Sequence, residues 1–311
     1  MPLTRGYATA AVGLPLLAAL LWGGYFVLVL GVAPNARPSA VFAYPFLVGG
    51  IAYAIWSVRE GHGAAFARLW RDPAAWGRAG LLVVMQLSVL ASTYLAGPVD
   101  TSLLTLIGDV VLTPIIVTVL FLTYRDRFHS PAIWAGMGLC LAGGGLAIAG
   151  GHGLTALRGG GYVVLVLIPV TVAFWFVACA RENERTPASA VVGQSMLAAG
   201  VVAVAISPFL PGGVTGLAVT GALPLTLLVA NGLTSFFLAP ALYFASIKRA
   251  GLVIPPMMMT GIPVFAAILG WAVLGIAVPW LGILGIPVAV AGALLALRGE
   301  TAGSERSVAT T

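Results

Sequence analysis

Ten apolar stretches, each close to the roughly 20 residues that carry a helix across a bilayer, leave this chain few ways to fold. They run over about 9–33, 39–58, 77–97, 100–123, 131–150, 160–181, 188–208, 221–246, 251–275 and 278–298. Of the 311 residues, 60% are hydrophobic and 8% charged, where a soluble domain carries about 25% charged residues. One core cannot hide that much apolar surface, so lipid is the solvent for most of it. No segment has the alternating pattern of a membrane barrel, which leaves a helical bundle. The run from Ala10 to Val32 is too long for a signal peptide and is read as an uncleaved first span. The tail from Glu300 to Thr311 is polar and is expected to be a disordered cytoplasmic segment.

The formal charge of +6 does not speak for nucleic acid, because the basic residues fall in short loops where they report topology. Alternate loops carry Arg59, Arg68, Arg71 and Arg78; Arg125 and Arg127; Arg181 and Arg185; Lys248 and Arg249; and Arg298 with Arg306. With Arg5 these fall on one side, against Arg37 and Arg158 on the other. The positive-inside rule then puts both termini in the cytoplasm of a cell whose inner membrane the chain crosses.

One stretch of the chain reads as a repeat. Shifting Thr113–Gly143 by 149 residues carries Pro114 onto Pro263, Leu120 onto Leu269, Gly136 onto Gly285 and Gly143 onto Gly292. The same shift carries Pro38 onto Pro187 and Tyr94 onto Tyr243. A five-helix unit crosses an odd number of times, so a second copy must enter from the opposite face. The expected architecture is an all-α membrane protein of ten transmembrane helices, built as two inverted five-helix repeats over 1–150 and 151–299. Secondary transporters recur to this design, with a substrate site near the midplane and alternating access by rocking.

The midway proline of the fourth and ninth helices (Pro114, Pro263), a turn, and then W-x-G with a glycine seven residues on (Trp134, Gly136, Gly143) resemble the EamA-type branch of the drug/metabolite transporter superfamily. The aromatic clusters at Trp22 and Trp175, which open the two halves, fit the same pattern. The resemblance implies a ten-helix inner-membrane carrier, often an exporter of amino acids, other metabolites or drugs. It further implies a central cavity lined mainly by helices other than the fifth and tenth, which the family picture links to dimer contacts and hence to a homodimer. One departure stands out: the Gly-Glu pair that often ends the fourth and ninth helices is replaced here by Arg125-Asp126 and Gly275-Ile276.

The main charge inside a span is Asp109, one turn before Pro114. A carboxylate at that depth costs roughly 2.5–3.5 kcal/mol on insertion scales, so such acids tend to face a cavity and mark an ion or substrate path. Asp109 is therefore the candidate for binding an amino group or coupling a proton; the alternative is a neutral acid hydrogen-bonded to Thr105 or Thr113. Gln86, Gln194 and Asn231 are mid-span amides that either line the cavity or staple helices. Trp22, Tyr25, Tyr44, Tyr94, Trp175 and Tyr243 could offer rings to apolar, aromatic or cationic substrates, or pack in the core. Met258, within a run of three methionines, suits an adaptable pocket or mixed core packing. Pro114 and Pro263 are expected to bend their helices around the cavity and serve in gating.

The expected partners are a small-molecule substrate and the bilayer, with no nucleic acid. No cofactor or metal is expected. Cys140 and Cys179 sit in apolar runs, His62, His129 and His152 lie in loops, and no phosphate-binding G-x-x-x-x-G-K-[ST] loop occurs. An enzyme would need a nucleophile, base or metal set that the spans lack. The expectation is a secondary transporter, gradient-driven or facilitated, that exports small organic metabolites such as amino acids; the alternatives are a multidrug or lipophilic-cation efflux carrier, and a receptor or structural protein without transport.

Overall fold

The computed structural model describes residues 13–32, 36–96, 101, 112, 130–150, 161–210, 213–250, 255, 258–259, 261–278 and 280–309. Among them every regular element is a helix. In chain order these are α1 (Leu14–Val32), α2 (Pro38–Arg59), α3 (Gly63–Leu69), α4 (Pro73–Ala96), α5 (Pro131–Gly150), α6 (Gly161–Glu182) and α7 (Ala188–Ile206). One further continuous span follows in three pieces: α8 (Ala222–Asn231), a π-helical segment (Gly232–Leu238) and α9 (Ala239–Ala250). Then come α10 (Gly261–Leu274) and α11 (Trp280–Ala309). Five helices are long and apolar enough to cross a membrane, and three more apolar helical stretches of 10–17 residues accompany them. This is a multi-pass helical membrane protein. Most of the fourth expected span, with Asp109 and Pro114, lies outside the described residues.

Local chemistry sets the helix ends. Pro38, Pro73 and Pro131 each occupy the first helical position, where the missing N–H would have had no partner and the fixed φ suits a helix. Where the family resemblance would put a Gly-Glu pair, α10 stops instead at Gly275 in the left-handed region (φ 66°). The Ile276 N–H there donates to the Gly270 carbonyl at 3.2 Å. Backbone bonds thus close this helix end without an acid. The Arg-rich connection at 59–76 is not all loop: α3 forms within it and buries Leu69. The last helix also continues to Ala309, where a disordered tail from residue 300 was expected. The residues Glu300 to Ala309 hold no proline, and a helix already nucleated in the membrane propagates at one hydrogen bond per residue.

The helices pair as α1 with α10, α2 with α7, α4 with α6, and α5 with α11, while the π segment packs on α2 and α9 packs on α1. Glycines let the backbones meet. A Cβ at Gly143 would lie 2.5 Å from both the Ala289 nitrogen and the Gly285 oxygen. One at Gly292 would lie 2.5 Å from the Gly136 oxygen and 2.6 Å from the Cys140 nitrogen. The Cys140 thiol donates to the Ala289 carbonyl at 3.3 Å across the same crossing. On α2 and α7, Gly50 meets Leu197 and Gly200 meets Leu47. In both pairs a higher number on one helix faces a lower number on the other, so the helices run antiparallel. Gly23 meets Phe265, and Gly261 meets Ala19, so α1 and α10 run parallel.

These contacts refine the expected offset between the halves. Across α5 and α11 the facing positions differ by 149, as Cys140 and Ala289 do. Across α2 and α7 the reciprocal contacts relate Gly50 to Gly200 and Leu47 to Leu197, an offset of 150. One residue is gained or lost between the two regions, and pairing Pro38 with Pro187 stands one residue out: Pro38 is the first residue of α2, whereas Pro187 caps α7.

Gly292→Leu should be destabilising by about 1–3 kcal/mol, the usual cost of overpacking a filled site. Gly138→Leu, on α5 where a Cβ meets nothing within 4 Å, should leave the unfolding midpoint unchanged. Thermal unfolding of the purified variants in detergent measures both.

Candidate functional site: an aromatic cavity between the halves

Three helices each present one face, at spacing i, i+3, i+4, to the same small space. Trp22, Tyr25 and Phe26 come from α1, Val172, Trp175 and Phe176 from α6, and Leu82, Met85, Gln86 and Val89 from α4. Ser235 and Phe236 of the π segment, Pro240 of α9, Met196 of α7 and Ile262 of α10 complete the wall. The cavity measures about 80 Å³ and its wall is almost wholly apolar. Ten of the lining positions form five pairs at an offset of 150: Trp22 with Val172, Tyr25 with Trp175, Phe26 with Phe176, Met85 with Ser235, and Gln86 with Phe236.

The polar atoms in this wall are few and mostly committed. The Gln86 amide donates to the Tyr25 hydroxyl, tying α4 to α1. The Trp22 indole N–H donates to the Ser235 carbonyl at 2.9 Å, and the Ser235 hydroxyl donates to the Leu21 carbonyl at 3.3 Å. A local cause accounts for the first of these. In a π-helical turn the Ser235 carbonyl would accept from residue 240, but that residue is a proline and has no N–H to give. Trp22 supplies the missing donor from α1, so an orphaned carbonyl becomes an interhelical clamp. The Trp175 indole N–H, in contrast, has no acceptor among the described residues although the side chain is 1% exposed.

Rings border the cavity in two groups, one around Trp22, Phe176 and Tyr243 and one around Tyr25 and Phe236. Trp22 meets Phe176 at 6.0 Å and Tyr243 at 5.5 Å edge to face, Phe176 meets Tyr243 at 4.6 Å, and Tyr25 meets Phe236 at 5.9 Å. Edge-to-face pairs of this kind add about 0.5–1.5 kcal/mol each beyond area burial.

The sequence candidates thus divide. Trp22, Tyr25, Gln86 and Trp175 line the cavity. Tyr243 stands in the ring layer behind it, fully buried. Tyr44 is half-buried against the core, away from the described lining. Gln194 and Asn231 are buried in helix packing outside the lining, and neither Gln194 amide atom has a partner among the described residues. Met258 is buried outside the lining, while Met85 and Met196 are the methionines that line it. Pro263 is buried beside the lining residue Ile262 in α10. The side chain of Tyr94 and all of Asp109 and Pro114 lie outside the described residues. No group of three metal-ligating side chains occurs among the described residues. Of the lining residues absent from the sequence candidates, Val172 and Phe236 are reached from Trp22 and Gln86 by an offset of 150, whereas Phe26 and Phe176 pair only with each other.

A bundle of apolar helices around an internal cavity defines the class: a polytopic helical membrane protein. Residues 159–298 match the model of the EamA-like transporter family, part of the drug/metabolite transporter superfamily. A protein of known crystal structure shares the fold over 93% of this chain and 96% of its own, with a TM-score of 0.69 at 20% identity. Among curated proteins none matches the sequence.

Trp22→Phe should keep the ring contacts but leave the Ser235 carbonyl unpaired, a loss of about 1–3 kcal/mol for a buried group. Ser235→Ala keeps that carbonyl and should cost less. Comparing the two unfolding midpoints tests whether the indole N–H, and not the serine hydroxyl, holds α1 to the π segment.

Proposed function

We propose that this protein is a secondary transporter, gradient-driven or facilitated, that exports small organic metabolites such as amino acids by alternating access around the aromatic cavity. The single observation that carries this reading is the pairing of lining positions at an offset of 150 between the two halves. Helices contributed in equivalent pairs, meeting about reciprocal glycine contacts, are what two inverted five-helix repeats would produce, with 1–150 and 151–299 as the units. Two such halves give inward-open and outward-open packings of similar energy, so modest differential binding biases between them.

The volume of the cavity fits one step of that cycle. At about 80 Å³ it holds a few waters, whereas sites for organic ligands span about 300–1,000 Å³. A metabolite can be bound only if helices part, and the weakly clamped π segment beside Pro240 is the natural place for the span to give. The positive-inside distribution of Arg and Lys supports cytoplasmic termini and insertion in an inner membrane. The ring cluster also favours a second reading, efflux of lipophilic cations, because aromatic faces attract cations at about 0.5–2 kcal/mol. Asp109 remains the proposed proton-coupling residue.

The test is flux in proteoliposomes containing the purified protein. Radiolabelled apolar and aromatic amino acids and a lipophilic cation should exchange unchanged across the membrane, and one of these classes should be preferred. Gln86→Leu should weaken transport of the preferred solute, while Gln194→Leu should alter stability alone. Asp109→Asn should abolish any dependence on an imposed pH gradient. Absence of protein-dependent flux for every solute would end the transporter reading.

A further inference from the structure

On the face that carries the basic loops lies a second, larger hollow of about 680 Å³. It is formed where the turn at residues 183–187 joins α6 to α7, beside the end of α9 and the His62 ring. Its wall mixes polar and apolar surface, unlike the almost wholly apolar wall of the central cavity, and its volume falls in the range for organic ligands, about 300–1,000 Å³. Arg185 and Lys248 line it, and neither has an ion-pair partner among the described residues. His62 lies 3.4 Å from the Glu60 carboxylate and 3.2 Å from the Ser189 hydroxyl, so its charge would be answered locally. That leaves two unanswered cations against the single acid Glu184 in the lining.

One layer of rings separates this hollow from the central cavity. Phe244 lines the polar hollow, whereas Trp175 and Phe176 line the central cavity. Phe244 touches both, with ring centroids 5.8 Å from Trp175 and 6.0 Å from Phe176. Movement of a single side chain would therefore join the two spaces.

We propose that the polar hollow is the loading vestibule of the carrier, that it receives solutes joining a carboxylate to an apolar body, and that Phe244 is the gate between it and the central cavity. This rests on the transporter reading above and names the chemical class of its substrate. The carboxylate is held by Arg185 and Lys248, where charged hydrogen bonds are available beside water. The apolar body then meets Phe244 and has a matching wall beyond it. A doubly charged or sugar-like solute would satisfy the vestibule and find nothing to replace its hydration in the cavity. Cys179, one turn from Trp175 and fully buried, reports on the gate as a native thiol.

Two measurements on the full chain in lipid nanodiscs test this. In the first, 3-phenylpropionate and the uncharged 3-phenylpropan-1-ol are titrated calorimetrically. The acid should bind more tightly, and Arg185→Gln with Lys248→Gln should weaken it by about tenfold or more, as loss of a charged hydrogen bond implies, while leaving the alcohol unchanged. Equal binding of acid and alcohol, or acid binding untouched by the double variant, overturns the vestibule. In the second, a charged methanethiosulfonate reagent modifies Cys179 in a Cys140→Ser background. Phe244→Ala should speed labelling severalfold and Phe244→Leu should not; equal rates in all three proteins overturn the gate. Neither readout depends on flux, so binding intact without flux would sink the transporter reading and leave the vestibule standing.

Discussion

Close backbone approach at glycine is the constraint on which this bundle depends. Between helices already in lipid there is little hydrophobic drive, since lipid tails are as apolar as leucine, and association rests on packing and interhelical hydrogen bonds. The contacts at Gly143 with Gly285 and Ala289, and at Gly292 with Gly136 and Cys140, bring backbones to distances that any side chain would prevent. The same holds where Gly50 meets Leu197 and Gly200 meets Leu47. With α5 locked to α11 and α2 locked to α7, the remaining helices α1, α4, α6 and the α8–α9 span are left to surround the cavity. The division of labour follows from composition: small residues fasten the frame, and aromatic residues furnish the wall.

The wall has its own internal logic. Proline at 240 costs the span a backbone donor, and the π-helical segment before it widens the turn and presents the Ser235 carbonyl sideways. An unpaired carbonyl in a membrane interior costs several kcal/mol, so a donor must come from elsewhere. Trp22 answers it at 2.9 Å, which ties α1 to the π segment. Helix irregularity and cavity are thus one feature seen from two sides. Where the ladder is broken, the helix can bend, and where it bends, side chains from both halves can meet around empty space.

Much of this was legible beforehand, and the limits have physical causes. Hydropathy alone located the helices, because backbone in lipid must satisfy itself and apolar runs of that length have no other outcome. The rarity of large polar side chains in spans singled out Gln86, Trp22, Tyr25 and Trp175, all of which line the cavity. Gln194 and Asn231 carried the same signal and pack elsewhere, since a mid-span amide announces that a partner is needed and not where it lies. Phe176 and Phe236 gave no signal singly, because phenylalanine is at home in core, lipid or cavity alike. An offset of 150 carries Gln86 onto Phe236, whereas Phe176 pairs with Phe26, itself without a signal; an offset of 149 turns a helix by about 100° and loses the face. The continuation of α11 through residue 309 was missed because polar composition was read as disorder, whereas a helix leaving the membrane needs only the absence of a strong breaker.

Arg78, near the start of α4, shows why packing and not charge must hold α4 against α6. Arg78 is 5% exposed at the start of α4 and stands 3.9 Å from Asp72 and 3.9 Å from Glu182 at the end of α6. Both distances allow Coulomb attraction, but neither is a hydrogen bond, and the Arg78 Nε and Nη2 atoms find no hydrogen-bond acceptor among the described residues. An ion pair held this loosely recovers little of what burying its guanidinium costs. The ring layer one turn deeper, at Trp175 and Phe176 against Phe244, has no such deficit, because rings in contact lose nothing to desolvation. Separating α4 from α6 would rehydrate Arg78 and its two acids, a gain that offsets part of the packing lost. The packing of α4 on α6 and the burial of Arg78 therefore act in opposite senses at this end of the bundle.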